Sequence, residues 1–589
     1  STPLLDANGN NAFTITIGTG DAEITAADLN SLNELTTVAI DATNVTQITG
    51  TVEAANDVYT AGDNGEITGL GNETVVISGE TDNTLSVAST LNTLDGHTTG
   101  TVNAGSLTTI EGALSDVLTA YGSNGITGLG NEAINLTDAS SISSTDLNTL
   151  DSKTSGTITT HADLQTLTGT VAELNEAFGS EGSTALGTEA VTITDTTVDA
   201  GDLNILNNYT TGVINADNLT KLTGTIADIN VAFAADAASS ATISGLGDQD
   251  VELTDTNVLA ADLNTLNGYT EGTIDASTVA EIEGTASALN DVYDTAGFSG
   301  LANEAVTVTD TTADLAALVT LDGNTTGTID ASAVHTLNGT VDNANSVYES
   351  DGFTGLGSEK VTLTDSTLGD VADLNTLNGY TTGNVDASNI SQITGSISAL
   401  NIAYAAESAL GNGISGLGNE ALILSDSGTL TDVAALTTLN GNTTGSINAD
   451  SIGNFEASIS DLNTMYAGAV DNSNEDGITD IKDKAVTITD TTVSDASTLN
   501  TLNDNTTGVV TADSVTALTG TASALNTLLS AGNDTNQFST NSFASLATAT
   551  VSDSTMSIAH LNGAIAQANT ATGKTTLAEE LAPLINAKR

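Results

Sequence analysis

The feature that most constrains the fold of this chain is a tandem repeat of roughly 60 residues. The stretch "DLNTLNGYTEGTIDASTVAEIEGTASALNDVY", residues 262–293, returns in close variants along the chain. The second half of each copy begins near one of nine positions: Val38, Thr101, Thr157, Val213, Thr273, Thr328, Asn384, Ser446 and Val509. Most length changes lie after the aromatic residue that closes "ALNDVY", which predicts loops there. Such arrays are typical of solenoids and propellers, whose repeats bury apolar faces against their neighbours.

Two segments of each copy have the pattern of β-strands. "EAVTVTD", residues 304–310, alternates apolar and polar side chains and is rich in β-branched residues. "GTIDA", residues 272–276, is the second predicted strand. Because the strands alternate with short helical patterns, we expect them to run parallel and to be joined by crossovers.

The helical patterns lie between these strands. In "ADLNTLNGYT" the leucines Leu263 and Leu266 are three residues apart, which predicts a short helix that stops near Gly268. "STVAEIEG", residues 277–284, has the spacing of one helical turn. We expect Thr285 to cap a further helix, "ASALNDVY".

These patterns predict an α/β solenoid in which short parallel strands are backed by short helices. The nine repeats would fill residues 1–548, and residues 549–589 would form a terminal partial repeat with a C-terminal helical cap. The alternative is an all-β solenoid, a parallel β-helix. The three-residue spacing of the leucines favours the α/β arrangement.

Composition limits both the core and the partners. Hydrophobic residues make up 39% of the chain, aromatic residues make up 3% and Trp is absent, so we expect a core of Val, Ile, Leu and Ala. The net charge is -67, from 75 acidic residues against 8 Lys and Arg, which excludes nucleic acid and anionic membranes as natural partners. Divalent cations or high salt would relieve the self-repulsion. No apolar run reaches the roughly 20 residues of a membrane span, and the opening "STPLLDANGN" lacks the pattern of a secretory signal.

Aromatic and asparagine residues recur at fixed places and are interpreted as structural. The aromatic row comprises Tyr59, Tyr121, Phe178, Phe233, Tyr293, Tyr348, Tyr404 and Tyr466, with Leu529 in the last copy. An asparagine precedes each aromatic by three residues except at Leu118: Asn56, Asn175, Asn230, Asn290, Asn345, Asn401, Asn463 and, before Leu529, Asn526. The "DLN" asparagines form a second row: Asn30, Asn92, Asn148, Asn204, Asn264, Asn375 and Asn500. We expect the aromatics to be core and the asparagines, at bends, to satisfy main-chain groups of their own and the next turn of the solenoid.

Two acidic rows leave two interpretations open. The first ends the strand "VTVTD": Asp138, Asp195, Asp255, Asp310, Asp365, Asp426, Asp490 and Asp553. The second lies in "TIDA": Asp41, Asp275, Asp330 and Asp386. Capping of the helix next in the chain is one explanation for the first row, and cation binding is the other.

One insert has the spacing of a calcium-binding loop. "NSNEDGITDIKD" places Asn472, Asn474, Asp476, Asp480 and Asp483 at positions 1, 3, 5, 9 and 12, with a glycine at position 6. Asn replaces the usual first Asp, and Asp replaces the usual final Glu. We expect Ca²⁺ as the cofactor here, with a solvated acidic loop as the alternative.

The sequence offers little support for an enzyme. The four histidines, His97, His161, His335 and His560, occupy unrelated repeat positions, and no hydrolase, phosphate-loop or dinucleotide motif is present. A polysaccharide-active β-solenoid enzyme would need a cluster of acids and bases, which 8 Lys and Arg make hard to build. We therefore expect no catalytic site.

The phrases "LTGTVAELNEAF", "DLNTLNGYTTG" and "NEAVTVTD" resemble tandem repeats of very large secreted and cell-surface proteins of marine bacteria, especially cyanobacteria. The resemblance covers nearly the whole chain and is specific for repeat style rather than for function. Repeats of phage tail fibres are similar to a lesser degree. The resemblance implies an extracellular or cell-surface location.

The resulting hypothesis is a structural extracellular protein that forms a surface filament, sheath or S-layer stabilised by Ca²⁺. Its expected partners are further copies of itself in a head-to-tail homopolymer, divalent cations and a cell-surface polysaccharide. Near the N-terminus "AFTITIGTG" predicts an open strand edge, and "KTTLAEELAPLINAKR" at the other end predicts a cap or a docking segment. An adhesin or a phage tail-fibre binding protein, with its ligand at loops 234–244 and 467–484, is the alternative.

Overall fold

The computed structural model describes residues 12–79, 86–407, 412–469, 476–532 and 534–553. The chain divides into two compact units. The first contains Ser1–Glu281 and Asp291–Leu301, and the second contains Ile282–Asn290 and Ala302–Arg589. The predicted C-terminal cap lies outside the described residues.

Two helices belong to each repeat, and they differ in the connection after them. The helices in the described ranges are α1 Ala26–Leu35, α2 Val52–Asp63, α3 Ala88–His97, α4 Leu114–Gly122, α5 Ser144–Asp151, α6 Val171–Gly179, α7 Ala200–Tyr209, α8 Ile226–Ala237, α9 Ala260–Asn267, α10 Ala286–Asp294, α11 Leu315–Asn324, α12 Val341–Glu349, α13 Val371–Tyr380, α14 Ile397–Ala405, α15 Val433–Asn442, α16 Ile459–Ala467, α17 Ala496–Asn505 and α18 Ala522–Gly532. The step from the start of an odd-numbered helix to the start of the next even-numbered one is nearly constant, whereas the step from even to odd varies. The variable length therefore falls after the even helix, as the sequence predicts.

The helices form because their first, fourth and seventh residues are apolar or small and face the core. In α7 these are Ala200, Leu203 and Leu206, all buried. Thr170 begins α6 with a reciprocal capping box, in which its hydroxyl and the Glu173 side chain each bond to the other's backbone N–H. None of the described helices is both long and apolar enough to cross a bilayer.

Short parallel strands connect the helices. In the first unit the sheets, in spatial order, are Glu23–Thr25, Gln47–Gly50, Thr74–Ile77, Val102–Asn103 and Ile126–Thr127; Ser183–Thr184, Ile158–Thr159, Ala133–Leu136, Thr109–Gly112 and Ser86–Val87; Ser141–Ser143, Thr166–Gly169, Ala190–Ile193, Ile214–Asn215 and Ile243–Ser244; Thr197–Asp199, Lys221–Gly224, Asp250–Leu253, Ile274–Asp275 and Phe298–Ser299; and Ile40–Asp41 with Ile67–Thr68. Asn257–Leu259 and Glu281–Gly284 are further strands. The strands pair in parallel, as in the register of Thr197 with Lys221.

The second unit has the same organisation. Its sheets are Ala305–Val308, Ile329–Asp330 and Phe353–Thr354; Thr312–Asp314, Thr336–Gly339, Lys360–Leu363, Asn384–Asp386 and Gly413–Ser415; Thr367–Leu368, Gln392–Gly395, Ala421–Leu424, Ser446–Asn448 and Gly477–Thr479; Gly428–Leu430, Ile452–Ala457, Ala485–Ile488 and Val510–Thr511; and Thr492–Val493, Ala517–Gly520 and Thr548–Val551. Most strands pair with the next strand but one along the chain.

The sheets stay short because strands and helices have different spacings. Neighbouring strands are about 4.8 Å apart, whereas packed helices need about 8 to 10 Å. A five-stranded sheet starts with a strand that directly precedes an odd-numbered helix. It ends, about two repeats later, with a strand that follows an even-numbered helix. A new sheet therefore starts with each repeat.

Aliphatic side chains fill the core, as composition predicts. Ile48, Val75, Val102 and Ile126 are adjacent in one sheet and all are buried. The strand Gln47–Gly50 ends at the repeat glycine, where a Cβ would lie 2.8 Å from the Cβ of Ala26. A residue without a side chain therefore fits best where this strand meets the start of the neighbouring helix, and one copy has the small residue Ala457 at the same position.

Three predictions of local structure are wrong. The all-β alternative fails because helices recur throughout the described residues. Residues 281–284 of "STVAEIEG" form a strand rather than a helical turn. "AFTITIGTG" holds one isolated bridge, Thr16 to Asp41, and a 3₁₀ turn at Thr19–Asp21, rather than a regular strand.

Candidate functional site

The predicted calcium loop is described only in its second half. Asn472 and Asn474 lie outside the described residues, and the exposed residues Asp476, Asp480 and Asp483 lie within them. The Asp480 carboxylate accepts a 2.9 Å hydrogen bond from the Thr479 hydroxyl. In the described ranges, no group of three or more His, Cys, Asp or Glu residues is arranged to hold a metal ion. Calcium binding at these residues stays a prediction.

Lys484 anchors the chain directly after this loop. Its Nζ donates to the carbonyl oxygen of Asp450 at 2.9 Å and to the carboxylate of the same residue at 3.0 Å. The lysine side chain is only 14% exposed. It occupies the repeat position that holds glutamate in most other copies.

The two asparagine rows alternate on successive helices and act alike. Each asparagine is the fifth residue of its helix, and in the following pairs its Nδ2 donates over 2.8 to 3.2 Å to the carbonyl of the third residue of the next helix. These pairs are Asn30 to Ala54, Asn56 to Thr90, Asn92 to Asp116, Asn148 to Glu173, Asn175 to Asp202, Asn204 to Asp228, Asn230 to Asp262, Asn290 to Ala317, Asn345 to Asp373, Asn375 to Ala399, Asn401 to Ala435, Asn463 to Thr498 and Asn500 to Ala524. The prediction that asparagine ties one part of the repeat to the next is confirmed. The side chains lie within helices rather than at bends.

The first acidic row caps helices, although not the helices next in the chain. Each carboxylate accepts a hydrogen bond from the first backbone N–H of the even helix that lies 24 to 31 residues earlier. The pairs are Leu114 to Asp138, Val171 to Asp195, Ile226 to Asp255, Ala286 to Asp310, Val341 to Asp365, Ile397 to Asp426, Ile459 to Asp490 and Ala522 to Asp553. A carboxylate is favourable there because a helix N-terminus presents unpaired N–H groups and a positive dipole end. The prediction that these acids cap helices is therefore confirmed. The capped helix, however, is the even helix earlier in the chain and not the helix that follows the acid.

The second acidic row closes local turns. Asp330 Oδ1 accepts from the backbone N–H of Ser332 at 2.9 Å, and its bonds to Ser332 lower the pKa of Asp330. The pKa of Asp275 is lowered in the same way by its hydroxyl and backbone bonds to Ser277. Where a copy has asparagine, as at Asn215, the side-chain oxygen accepts the same bond. The position therefore requires an acceptor rather than a charge.

A row of buried glutamates was missed by sequence reasoning. Glu73, Glu132, Glu189, Glu304, Glu359 and Glu420 are each at most 4% exposed. The Glu420 carboxylate accepts from the Tyr404 hydroxyl and from the Gly418 backbone N–H, both at 2.8 Å. The available signal was the recurrence of "GLGNE" shortly after the aromatic residue.

The aromatic row is largely core, as predicted. Tyr59, Phe233, Tyr404 and Tyr466 are buried. Burial, with the nearby Glu420 charge adding to it, raises the pKa of Tyr404 far above its ordinary value, so its hydroxyl stays a hydrogen-bond donor.

Further rings stack on this row from the ends of odd helices. Phe178 stacks on Tyr209, Phe233 on Tyr269 and Tyr348 on Tyr380. His97 stacks on Tyr59 at 5.6 Å between ring centroids. His97, at the end of α3, therefore occupies a position that other copies fill with tyrosine.

Two equivalent grooves lie between an even helix and the next odd helix of the second unit. The groove beside α14 has a volume of about 430 Å³ and is lined by Ile397, Ile402, Ala405, Leu430 and Ala435 among others. The groove beside α16 has a volume of about 590 Å³, and its lining residues include Ile459, Thr464 and Ala467 at the corresponding helix positions.

The connection from the capping aspartate to the odd helix differs in length between copies. The helix α15 begins seven residues after the capping Asp426 and α17 begins six after Asp490, whereas α9 begins five after Asp255. The strand before α15 also has an irregular register between Gly428 and Thr429. The six-residue interval also precedes α5 and α13, whereas the seven-residue interval precedes α15.

No family model and no curated protein matches this chain.

Proposed function

We propose that the protein is a structural extracellular protein, a solenoid subunit of a cell-surface filament, sheath or S-layer. The observation that carries this proposal is the asparagine row, in which the same two atoms join one helix to the next throughout much of the described chain. The recurring acids and tyrosines also bond main-chain groups or one another. The recurring residues therefore preserve structural contacts rather than a set of reacting groups. Catalytic turnover is not part of the proposal.

Strand pairing supports a solenoid within each unit. The pairing is parallel and joins a strand to the next but one along the chain, as in Val191 with Ile214 and Ser446 with Gly477. Successive helices, such as α6 with α7 and α16 with α17, contact each other. Contacts of this kind bury the apolar face of each repeat against its neighbours.

Calcium is the proposed cofactor because the charge of -67 opposes the approach of further copies. Oxygen-rich acidic loops are the ligands that Ca²⁺ prefers, and Asp476, Asp480 and Asp483 expose three carboxylates in one short segment. A cell-surface polysaccharide is the other proposed partner, because the proposed location of the protein is the cell surface.

Electron microscopy of the purified protein and of native surface material, across calcium concentrations, tests this function. We expect ordered filaments or sheets that lose order when a chelator is added. Monodisperse particles in every condition would contradict it, as would turnover of an acidic polysaccharide by the purified protein.

The variable connections support a second candidate, an adhesin or phage tail-fibre protein. Interval lengths differ after even helices, including in the predicted loops 234–244 and 467–484, although residues 234–237 belong to α8 and residues 477–479 to a strand. Segments of variable length and sequence are where binding residues are often found. Deleting only the residues between helix and strand, 238–242 and 468–476, should abolish attachment and leave assembly intact if these segments hold the ligand. Unchanged attachment would contradict this second candidate.

A further inference from the structure

One set of outward positions is free of charge on several helices. On α7, α8, α14, α15 and α16 the second, sixth and ninth residues are exposed or half-exposed, and none of them is an acid or a base. In a chain with a net charge of -67, a surface on which two copies meet must be depleted of acids. These positions meet that condition.

Ile205 and Val231 are exposed apolar residues of the first unit, and the two together are called the apolar knob. They are the sixth residues of α7 and α8, which contact each other, and they are 47% and 56% exposed. Many other helices have threonine at this position, and the hydroxyl of Thr265 or Thr376 bonds a carbonyl of its own helix. β-Branched apolar residues gain nothing as helix formers on an exposed face, so the local structure gives no reason for them.

The groove beside α14 in the second unit is complementary in chemistry. Its rim includes Ile402, which is 57% exposed, and its walls include Ala405, Leu430 and Ala435. Two acids, Asp426 and Asp432, also line the groove, and their carboxylates accept hydrogen bonds from helix N-terminal N–H groups. Their charges are thus partly offset by the helix dipoles.

We infer that the apolar knob of one copy docks in the groove beside α14 of a second copy. The inference rests on the proposed function, because it supplies the contact by which copies assemble. Knob and groove are different surfaces, so the contact is heterologous. After two copies join, one of them still has a free knob and the other a free groove, so further copies can be added. Burial of Ile205, Val231 and Ile402 would drive the association.

Three variants of the full chain test this contact. Ile205→Thr with Val231→Thr removes the knob and introduces the residue that α9 and α13 carry at the same position. Ala405→Glu places a carboxylate in the groove, and the ninth residue of α12 is already a glutamate, Glu349. Leu259→Ser is the control, because Leu259 is a 48% exposed apolar residue outside the knob and the groove.

Sedimentation velocity is measured in about 0.5 M salt, where the Debye length is well below 10 Å. We expect concentration-dependent growth for the parent chain and for Leu259→Ser. The knob and groove variants should each associate on the order of 10- to 100-fold more weakly, as for the loss of central apolar contacts. A parent chain that stays monomeric, or variants that associate like it, would overturn the inference.

Mixing the knob variant with the groove variant gives the most specific result. The groove variant retains a knob and the knob variant retains a groove, so the mixture should form 1:1 dimers that grow no further. A mixture that stays monomeric while the parent chain polymerises would overturn heterologous docking. If the variants behave as expected but the protein is not found at the cell surface, the docking inference holds and the proposed function fails.

Discussion

Glu420 and Lys484 occupy the same position in adjacent repeats and place opposite charges there. Glu420 is fully buried and accepts from Tyr404 and Gly418. Lys484 instead reaches Asp450, and Tyr466, the counterpart of Tyr404, donates to the Ile481 carbonyl at 3.3 Å. A buried polar group is costly unless it is hydrogen-bonded. The comparison teaches that this position accepts a group of either charge that bonds to neighbouring atoms, although the Glu420 Oε1 atom has no hydrogen-bond partner among the described residues.

The turn that precedes this position also differs between the two repeats. Gly416 precedes Glu420 by four residues and has a φ of 84°, whereas Asp480, which precedes Lys484 by four residues, has a φ of 59°. The left-handed region disfavours most residues other than glycine and tolerates aspartate better than most. Asp480, a predicted calcium ligand, is therefore also a turn-forming residue of the common repeat.

The largest effect on stability is expected when lysine replaces Glu420 without the other residues that surround Lys484. Glu420→Lys would place an ammonium group against the Tyr404 hydroxyl and the Gly418 N–H, and the residue that corresponds to Asp450 in that repeat is the uncharged Ser388. Breaking a buried charge network of this kind costs about 3 to 5 kcal/mol. Urea unfolding of the full chain should show this loss in the transition of the second unit.

Glu420→Gln is the matched control, because Gln249 holds the same position in another copy and accepts from Gly247 at 2.7 Å. We expect it to cost less than about 1 kcal/mol. Equal destabilisation by the lysine and glutamine substitutions would show that the carboxylate itself is required, and not only hydrogen bonds to Tyr404 and Gly418.

A smaller effect is expected in the asparagine row. Asn230→Asp would set a carboxylate against the Asp262 carbonyl, which now accepts from the Asn230 amide at 3.2 Å. The loss of the bond and the new repulsion should cost about 1 to 3 kcal/mol. Thermal unfolding near neutral pH measures it.

The chain supplies a control for this substitution as well. Leu118 occupies the corresponding position in α4. Asn230→Leu removes donor and acceptor together and should therefore be milder than Asn230→Asp. The reverse order would contradict the view that the amide donor is the group this position provides.

The capping row should respond less strongly. Asp426→Ala leaves the first N–H of α14 without its carboxylate, although Ser396 still caps the same helix through Ala399. Loss of a cap costs about 0.5 to 2 kcal/mol. Hydrogen exchange of the first-turn amides of α14 should quicken while those of α12 stay unchanged, and equal acceleration in both helices would contradict a local cap.

The smallest effect is expected at the turn-closing acids and depends on pH. The pKa of Asp330 is lowered by its bonds to Ser332, so the ionised form contributes stability above the ordinary aspartate pKa, and this stability is lost as pH falls through the lowered value. Ser332→Ala should raise the pKa of Asp330 because the hydroxyl bond is removed, as an NMR titration would show. An unchanged pKa would assign the whole effect to the backbone N–H.

Local spacing predicted the helices but not the partners of the acids. The leucines of "DLNTLNGY" lie three residues apart, a spacing that a helix places on one face. In "STVAEIEG" a turn followed by a strand produces the same spacing, and the neighbouring strand decides the outcome. Asp255 caps a helix that begins 29 residues earlier, and no local pattern identifies a partner at that distance.

The candidate site was predictable to a lesser extent than the fold. The recurrence of Asn204 and Asn230 indicated a structural role, although only the structure shows that the two rows act in succession. Glu420 was missed because glutamate is usually exposed. Its burial depends on Tyr404, which precedes it by 16 residues.

The constant spacing between an odd helix and the next even one has a consequence for how such a chain changes over generations. Each new sheet begins once per repeat, and the asparagine bonds extend only to the next helix. Loss or duplication of one helix would exchange odd with even and leave strands without partners. Recombination within the gene should therefore keep a foldable product only when it adds or removes whole two-helix repeats, so related chains should differ by whole numbers of repeats.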